Sequence, residues 1–210
     1  GDTGAAAISA LSKRKKINLF VLHPHNKISK VQKKIMTTIG GSNIYNIAIK
    51  GSFDDCQKIV KQMFADNIFR QTINMSGVNS INWARIIFQI VYYFYSFLRL
   101  NKKKLNYAVP TGNFGDIYAG YMAKKMGLPI EKLIVATNEN DILQRVINRG
   151  IYKPSKVKAS ISPSMDIQIS SNFERLLFYA LNSKDIEVKK LMNDFETKGS
   201  FKLTPNQKKI

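Results

Sequence analysis

Val109-Pro110-Thr111-Gly112-Asn113-Phe114-Gly115-Asp116 is the stretch that decides the fold of this chain. Leu105 to Val109, just before it, is short and apolar and reads as a strand. Ile117 to Met126, just after it, holds alanine, tyrosine and lysine without a β-branched run and reads as a helix. A strand, a glycine-bearing turn and a helix start leave main-chain N–H groups unpaired, and the helix dipole there favours an anion. Gly112 and Gly115 have no Cβ to hold an anion off the backbone. The spacing differs from the dinucleotide fingerprint, and no Gly-Lys-Ser/Thr follows, so this is not a nucleoside-triphosphate loop. Asp116 is a capping candidate, its carboxylate set to accept from a nearby main-chain N–H. Taken alone, such a turn also fits an α/β protein that binds nothing there.

Outward from the turn, strands and helices alternate. Downstream come a strand at Lys132 to Ala136, a loop at Thr137-Asn138-Glu139-Asn140, and a helix opened by Asp141. Residues 149 to 163 read as irregular, Phe173 to Leu181 as amphipathic. Asp185 to Ile210 has a helical first half and a lysine-rich end, and is expected to dock on a part of the protein outside these residues. Upstream, Thr3 to Ser12 is a helix capped by Asp2 or Thr3. Ile17 to Leu22 is a strand ending at His23-Pro24-His25, where no Cys or carboxylate lies alongside to complete a metal site. Ile28 to Ile39 is a helix with Ile28, Val31, Ile35 and Ile39 as its apolar face. Ile44 to Ile49 is a strand, and Ser52 with Asp55 resembles a capping box opening a helix to about Ala65. This alternation implies an α/β fold with parallel pairing. The polar, glycine-bearing break Asn74 to Val78 divides the chain into residues 1–78 and 79–210.

A long apolar helix is expected from Ile81 to about Leu100, with Ser80 as its cap. Its uncharged run, Ile86 to Leu98, is shorter than the roughly 20 residues a membrane span needs. Arg85 and Arg99 bracket that run, so it reads as a buried core helix. Asn79, Ser80, Asn82 and Arg85 cluster at its N-terminus, where an anion is favoured.

The formal net charge is +19, which points first to nucleic acid or an anionic membrane. The lysines are spread over the whole chain, however. The densest runs, Lys13-Arg14-Lys15-Lys16 and Lys102-Lys103-Lys104, each lie between a helical stretch and a strand, where solvated helix ends account for them. No nucleic-acid or membrane partner is expected. The single cysteine, Cys56, excludes an intrachain disulfide, fits a reducing, cytoplasmic setting and reads as a packed residue.

Pro110 to Ile117, with Ala119-Gly120-Tyr121 and Ala123-Lys124-Lys125-Met126-Gly127-Leu128-Pro129-Ile130, resembles the threonine synthases. So do Val135-Ala136-Thr137-Asn138-Glu139-Asn140-Asp141-Ile142-Leu143, Gly1-Asp2-Thr3-Gly4-Ala5-Ala6, and Asn79-Ser80-Ile81-Asn82-Trp83-Ala84-Arg85. Ser162-Pro163-Ser164-Met165-Asp166-Ile167-Gln168 and Ser170-Ser171-Asn172-Phe173-Glu174-Arg175 complete the set, in the family's order.

The resemblance implies an α/β fold of the fold type II pyridoxal-phosphate class, like the tryptophan synthase β subunit. Open, mostly parallel sheets would be flanked by helices and here be incomplete. It implies a small domain over 1–78 with the substrate-carboxylate loop, and part of the large cofactor-binding domain over 79–210. Pyridoxal 5'-phosphate is the implied cofactor. The implied reaction converts O-phospho-L-homoserine and water to L-threonine and phosphate. Gly112, Asn113, Phe114, Gly115 and Asp116 would surround the cofactor phosphate or ring. Asp2, Thr3 and Gly4 match the substrate-carboxylate loop. Ser80, Asn82 or Arg85 would hold the substrate phosphate, a structural ion pair being the alternative for Arg85. The aldimine lysine of the family lies upstream of the Gly-Asp-Thr-Gly loop, so no catalytic residue is assigned within residues 1–210, and no metal. The chain thus reads as an internal fragment, inactive alone. Asp2 and Asn113-Phe114 argue against the dehydratases of the same fold, and a non-catalytic basic module is the other alternative.

Overall fold

The structure, a computed structural model, describes residues 1–208. The chain divides into one unit of residues 1–79 with 159–164 and a second of 80–158 with 165–210.

In the first unit, α1 (Asp2–Leu11) and α3 (Phe53–Ala65) pack on β1 (Leu19–Pro24), which pairs in parallel with β2 (Ile44–Ile49). Helix α2 (Lys30–Thr38) makes the crossover, and the short α4 (Asn67–Thr72) follows α3. The core is Ala7, Ile8, Leu19, Val21 and Met36, with Ile28 packed at its edge. This corrects the expected face of α2. Val31 is 69% exposed, and Ile35 and Ile39 are also on the outside. Met36 faces inward instead, about 140° around the helix from Val31 at 100° per residue. Cys56 is buried, and burial pushes its thiol pKa up.

The capping box at the head of α3 forms in both directions. Ser52 Oγ accepts from the Asp55 N–H at 3.2 Å, and Asp55 Oδ2 accepts from the Ser52 N–H at 2.6 Å. The Ser52 main-chain bond, foremost, and the Ser52 hydroxyl, which donates to Asp55 Oδ2 at 2.7 Å, hold the Asp55 carboxyl below its usual range, and replacing Ser52 by alanine removes only the hydroxyl's part. Ser52→Ala is expected to cost about 1 kcal/mol in a denaturant titration. Asp55 is the depressed-pKa case, so its share is present above the unfolded carboxyl pKa and lost as pH falls through the folded one. The difference between wild type and variant should therefore narrow below the ordinary carboxylate range, and a difference constant with pH would contradict this.

In the second unit, β3 (Leu105–Pro110) pairs in parallel with β4 (Ile130–Ala136), and α6 (Gly115–Lys125) is the crossover. Helices α7 (Ile142–Arg149), α8 (Phe173–Ala180) and α9 (Asp185–Lys198) complete the layer; the 3-10 turn Pro163–Met165, between α7 and α8 in sequence, begins within the 159–164 segment of the first unit. The tail does not await an outside partner along its whole length. Phe201–Lys202, strand β6, pairs antiparallel with β5 (Ile151–Tyr152), and Phe201 and Leu203 are buried. Its last two residues lie outside the described residues.

Helix α5 (Trp83–Leu100) begins later than expected, because Asn82 rather than Ser80 is its cap: Asn82 Oδ1 accepts from the Ala84 N–H at 3.0 Å. Nor is it buried all round. Ile86 and Tyr93 are buried against α6, while Phe88, Val91, Tyr95 and Leu98 are more than half exposed at helical spacing. Among the described residues no helix is long and apolar enough to cross a membrane.

Tyr93 locks α5 to α6. Its hydroxyl donates to the Asp116 carbonyl at 2.7 Å, and its ring stands edge-on to Tyr107 at 4.9 Å. Burial, before the neighbouring Asp116 charge, raises its pKa, so the hydroxyl stays a donor.

Candidate active site

The turn between β3 and α6 keeps its main-chain donors open. Thr111 N–H is used, donating to the Ala136 carbonyl at 2.9 Å. Among the described residues, the N–H groups of Gly112, Asn113, Phe114, Gly115 and Asp116 find no acceptor. The next N–H groups are taken, Ile117 by Asp116 Oδ1 and Tyr118 by the Phe114 carbonyl. Asp116 Oδ1 also accepts from the Thr111 hydroxyl, so that oxygen is turned back into the protein. The row of open donors therefore sits at the positive end of an eleven-residue helix.

Phe114 is the cap of α6 and has φ of +65°, a left-handed conformation that costs a non-glycine residue about 1–2 kcal/mol. Its side chain is buried edge-on to Phe173, with centroids 5.5 Å apart. A left-handed residue leading into right-handed ones turns successive N–H groups toward one side, a concavity suited to an anion.

The glycines have packing tasks that the sequence did not disclose. A Cβ on Gly112 would lie 2.9 Å from Ile167 Cδ1, and one on Gly115 would lie 3.3 Å from Asn172 Nδ2. Ile167 is flanked by anchored residues. Asp166 accepts from Asn138 and Asn140, and Gln168 accepts from Arg145 Nη2 at 3.1 Å.

Asn172, which the sequence reading did not place in the site, is fully buried behind the turn. Its N–H and its Nδ2 both donate to the Asn113 carbonyl, at 3.1 and 3.0 Å, and Nδ2 donates to the Ser80 carbonyl at 3.1 Å. Arg175 Nη2 donates to the Ile81 carbonyl at 2.7 Å, and its guanidinium lies over the Trp83 ring. The head of α5, with Ser80, Asn82 and Arg85, is thereby tied to the segment that backs the turn. Asn172 Oδ1 and the Ser170 hydroxyl are buried without hydrogen-bond partners. No residue preference or periodicity could reveal this clamp, because its contacts lie far apart in the chain.

Asp2, Thr3 and Gly4 belong to the other unit and form the first turn of α1, whose cap is Gly1 rather than Asp2 or Thr3. The Asp2 carboxylate is drawn away from its own helix. It accepts from Gln32 Nε2 at 2.6 Å and from the Ser164 hydroxyl. The Ser164 bond, against the opposing effect of burial and with help from Gln32, holds its carboxyl below the usual range. A carboxylate so engaged offers nothing to an incoming carboxylate; the donors of this turn are its main-chain N–H groups and the Thr3 hydroxyl. Gly4 permits close packing, since a Cβ there would lie 2.8 Å from Met36 Sδ and Val21 Cγ1. Among the described residues no group of three or more His, Cys, Asp or Glu could hold a metal ion.

A family model described as pyridoxal-phosphate dependent enzyme matches residues 1–191. A threonine synthase of Pseudomonas aeruginosa is 51% identical over 203 residues, covering 96% of this chain and 43% of the relative. One from Saccharomyces cerevisiae is 49% identical, with 97% and 42% covered. A crystal structure of pyridoxal-phosphate-bound threonine synthase from Brucella melitensis superposes with a TM-score of 0.86 at 51% identity, covering 99% of this chain and 45% of that one. The chain thus spans less than half the length of these relatives.

Proposed function

The chain belongs to the pyridoxal-phosphate dependent enzymes, and from that premise we propose that it forms the cofactor-phosphate cradle of a threonine synthase. The reaction is then conversion of O-phospho-L-homoserine and water to L-threonine and phosphate, in a cytoplasmic setting. The observation that carries this reading is the run of open N–H groups from Gly112 to Asp116 at the head of α6. A phosphate dianion satisfies several such donors at once, where a neutral ligand leaves most of them unpaired.

The residues present fit the cofactor. The N–H groups of Gly112, Asn113, Phe114 and Gly115 would grip its phosphate, and Asp116 would sit at the rim. Bound pyridoxal phosphate supplies an electron sink for negative charge developing on substrate carbon. The chain's own residues bind and orient. Arg85, Ser80 and Asn82, at the start of α5, would receive the substrate phosphate. The first turn of α1 would receive the substrate carboxylate through its main-chain N–H groups and the Thr3 hydroxyl, with the Asp2 side chain holding that turn in place. We assign residues 1–78 to the small domain and residues 79–210 to part of the large one.

Equilibrium binding of pyridoxal phosphate and of pyridoxal to the chain tests the cradle. Losing the charged group should weaken binding at least about tenfold, since hydrogen bonds to a charged group are each worth around that factor. Equal affinities would remove the cradle and this assignment with it.

A further inference from the structure

We infer that Asn172 is a positioning residue for the phosphate cradle, setting the direction in which the Phe114 N–H points. The inference rests on the cradle reading of the Gly112 to Asp116 turn.

Asn172 faces the carbonyls of Asn113 and Ser80, at 3.0 and 3.1 Å. A carbonyl accepts and does not donate, so only the Nδ2 end can face them. The orientation of the side chain is therefore fixed, and its Oδ1 is left buried without a partner. An unpaired buried oxygen is unfavourable, so the arrangement persists only because the surrounding contacts enforce it.

The Asn113 carbonyl takes both of its bonds from Asn172, one from the main chain and one from the side chain. No peptide bond among the described residues is cis, so the Asn113–Phe114 peptide is trans. In a trans peptide the C=O and N–H point in opposite directions. Holding the carbonyl back on Asn172 thus aims the Phe114 N–H away from Asn172. Phe114 is left-handed at this point, so the same clamp supports the conformation that carries the Gly115 N–H along with it. The clamp is also close to Gly115, where a Cβ would come within 3.3 Å of Asn172 Nδ2. Through Ser80 it fixes the head of α5 on the same atom.

The test uses the whole 210-residue chain, with pyridoxal phosphate and pyridoxal as probes and circular dichroism to monitor folding. Asn172→Ala removes the side-chain donor, and the preference for pyridoxal phosphate over pyridoxal should fall about tenfold, while pyridoxal affinity stays as in wild type. Asn172→Asp keeps the shape, loses the donor and adds a charge, so the preference should fall further, by about a hundredfold. A role in stability alone would weaken both probes together. A second measurement needs no variant. Phosphate titrated into the wild-type chain should shift the amide proton of Phe114 downfield in a ¹H–¹⁵N spectrum, as expected for a new charge-assisted bond. Unchanged preference in the folded variants, joint loss of both probes, or a Phe114 amide indifferent to phosphate would each overturn the inference. If the wild type shows no preference for the phosphorylated probe, the cradle reading itself falls, and this inference with it.

Discussion

Phe173→Ala is expected to lower the unfolding free energy of its unit by about 3–5 kcal/mol, the usual cost of emptying a buried aromatic site. Phe173 is 2% exposed and stands at the centre of an aromatic group. It stacks on Tyr152 with centroids 5.6 Å apart and meets the edge of Phe114 at 5.5 Å. The loss extends beyond packing. Phe114 tolerates its left-handed backbone because its ring has a wall to rest on, and Phe173 is that wall. Without it, a strain of about 1–2 kcal/mol at the turn is no longer offset. Pyridoxal-phosphate affinity should fall along with stability. Urea unfolding followed by the fluorescence of Trp83, the sole tryptophan, reads the unit directly. A stability loss under about 1 kcal/mol would show that the aromatic group is not the support described.

Gly120 offers a second large effect, in which two opposing terms compete. Placing alanine at a helical glycine ordinarily gains up to about 1 kcal/mol of helix propensity. Here the new Cβ would lie 2.6 Å from Cε1 and Cζ of Tyr93 and 2.9 Å from Leu133 Cδ2. The Tyr93 ring has little freedom to withdraw, because its hydroxyl is bound to the Asp116 carbonyl and its edge meets Tyr107. Overpacking of this kind costs about 1–3 kcal/mol, so Gly120→Ala should be net destabilising, and the bulkier Gly120→Val should lose about 3 kcal/mol or more. The same urea titration decides it. A stabilised Gly120→Ala would mean that α5 and α6 separate easily and that Tyr93 is not a lock.

The central turn was legible in the sequence because its information is local. A strand, two glycines and a helix within a dozen residues leave one backbone path. The parallel pairs β1–β2 and β3–β4 follow from the same alternation. The capping box of Ser52 and Asp55 was legible for the same reason. Misreadings arose where the deciding contact is distant. Val31 and Ile35 have the spacing of a core face, yet Met36 is the residue that meets α1 and β1. The outer side of α5 is as apolar as its inner side, so pattern alone marked the whole helix as buried. Asn82 takes the cap expected of Ser80, whose carbonyl is held by a residue from another part of the chain. Gly112 and Gly115 stand out in the sequence as open to an anion, whereas the room they leave for the side chains of Ile167 and Asn172 depends on contacts distant in the chain.

The reach of Asn172 bears on the order in which this molecule is made. It joins Asn113, 59 positions earlier, and Ser80, 92 positions earlier. Loops of that span close late, since their entropy is lost before any contact rewards it. On the ribosome, strand, bend and helix emerge well before the amide that orients them. A nascent chain halted short of that asparagine would own every donor of the cradle and still present them unaligned, so competence to hold an anion arrives in a single late event.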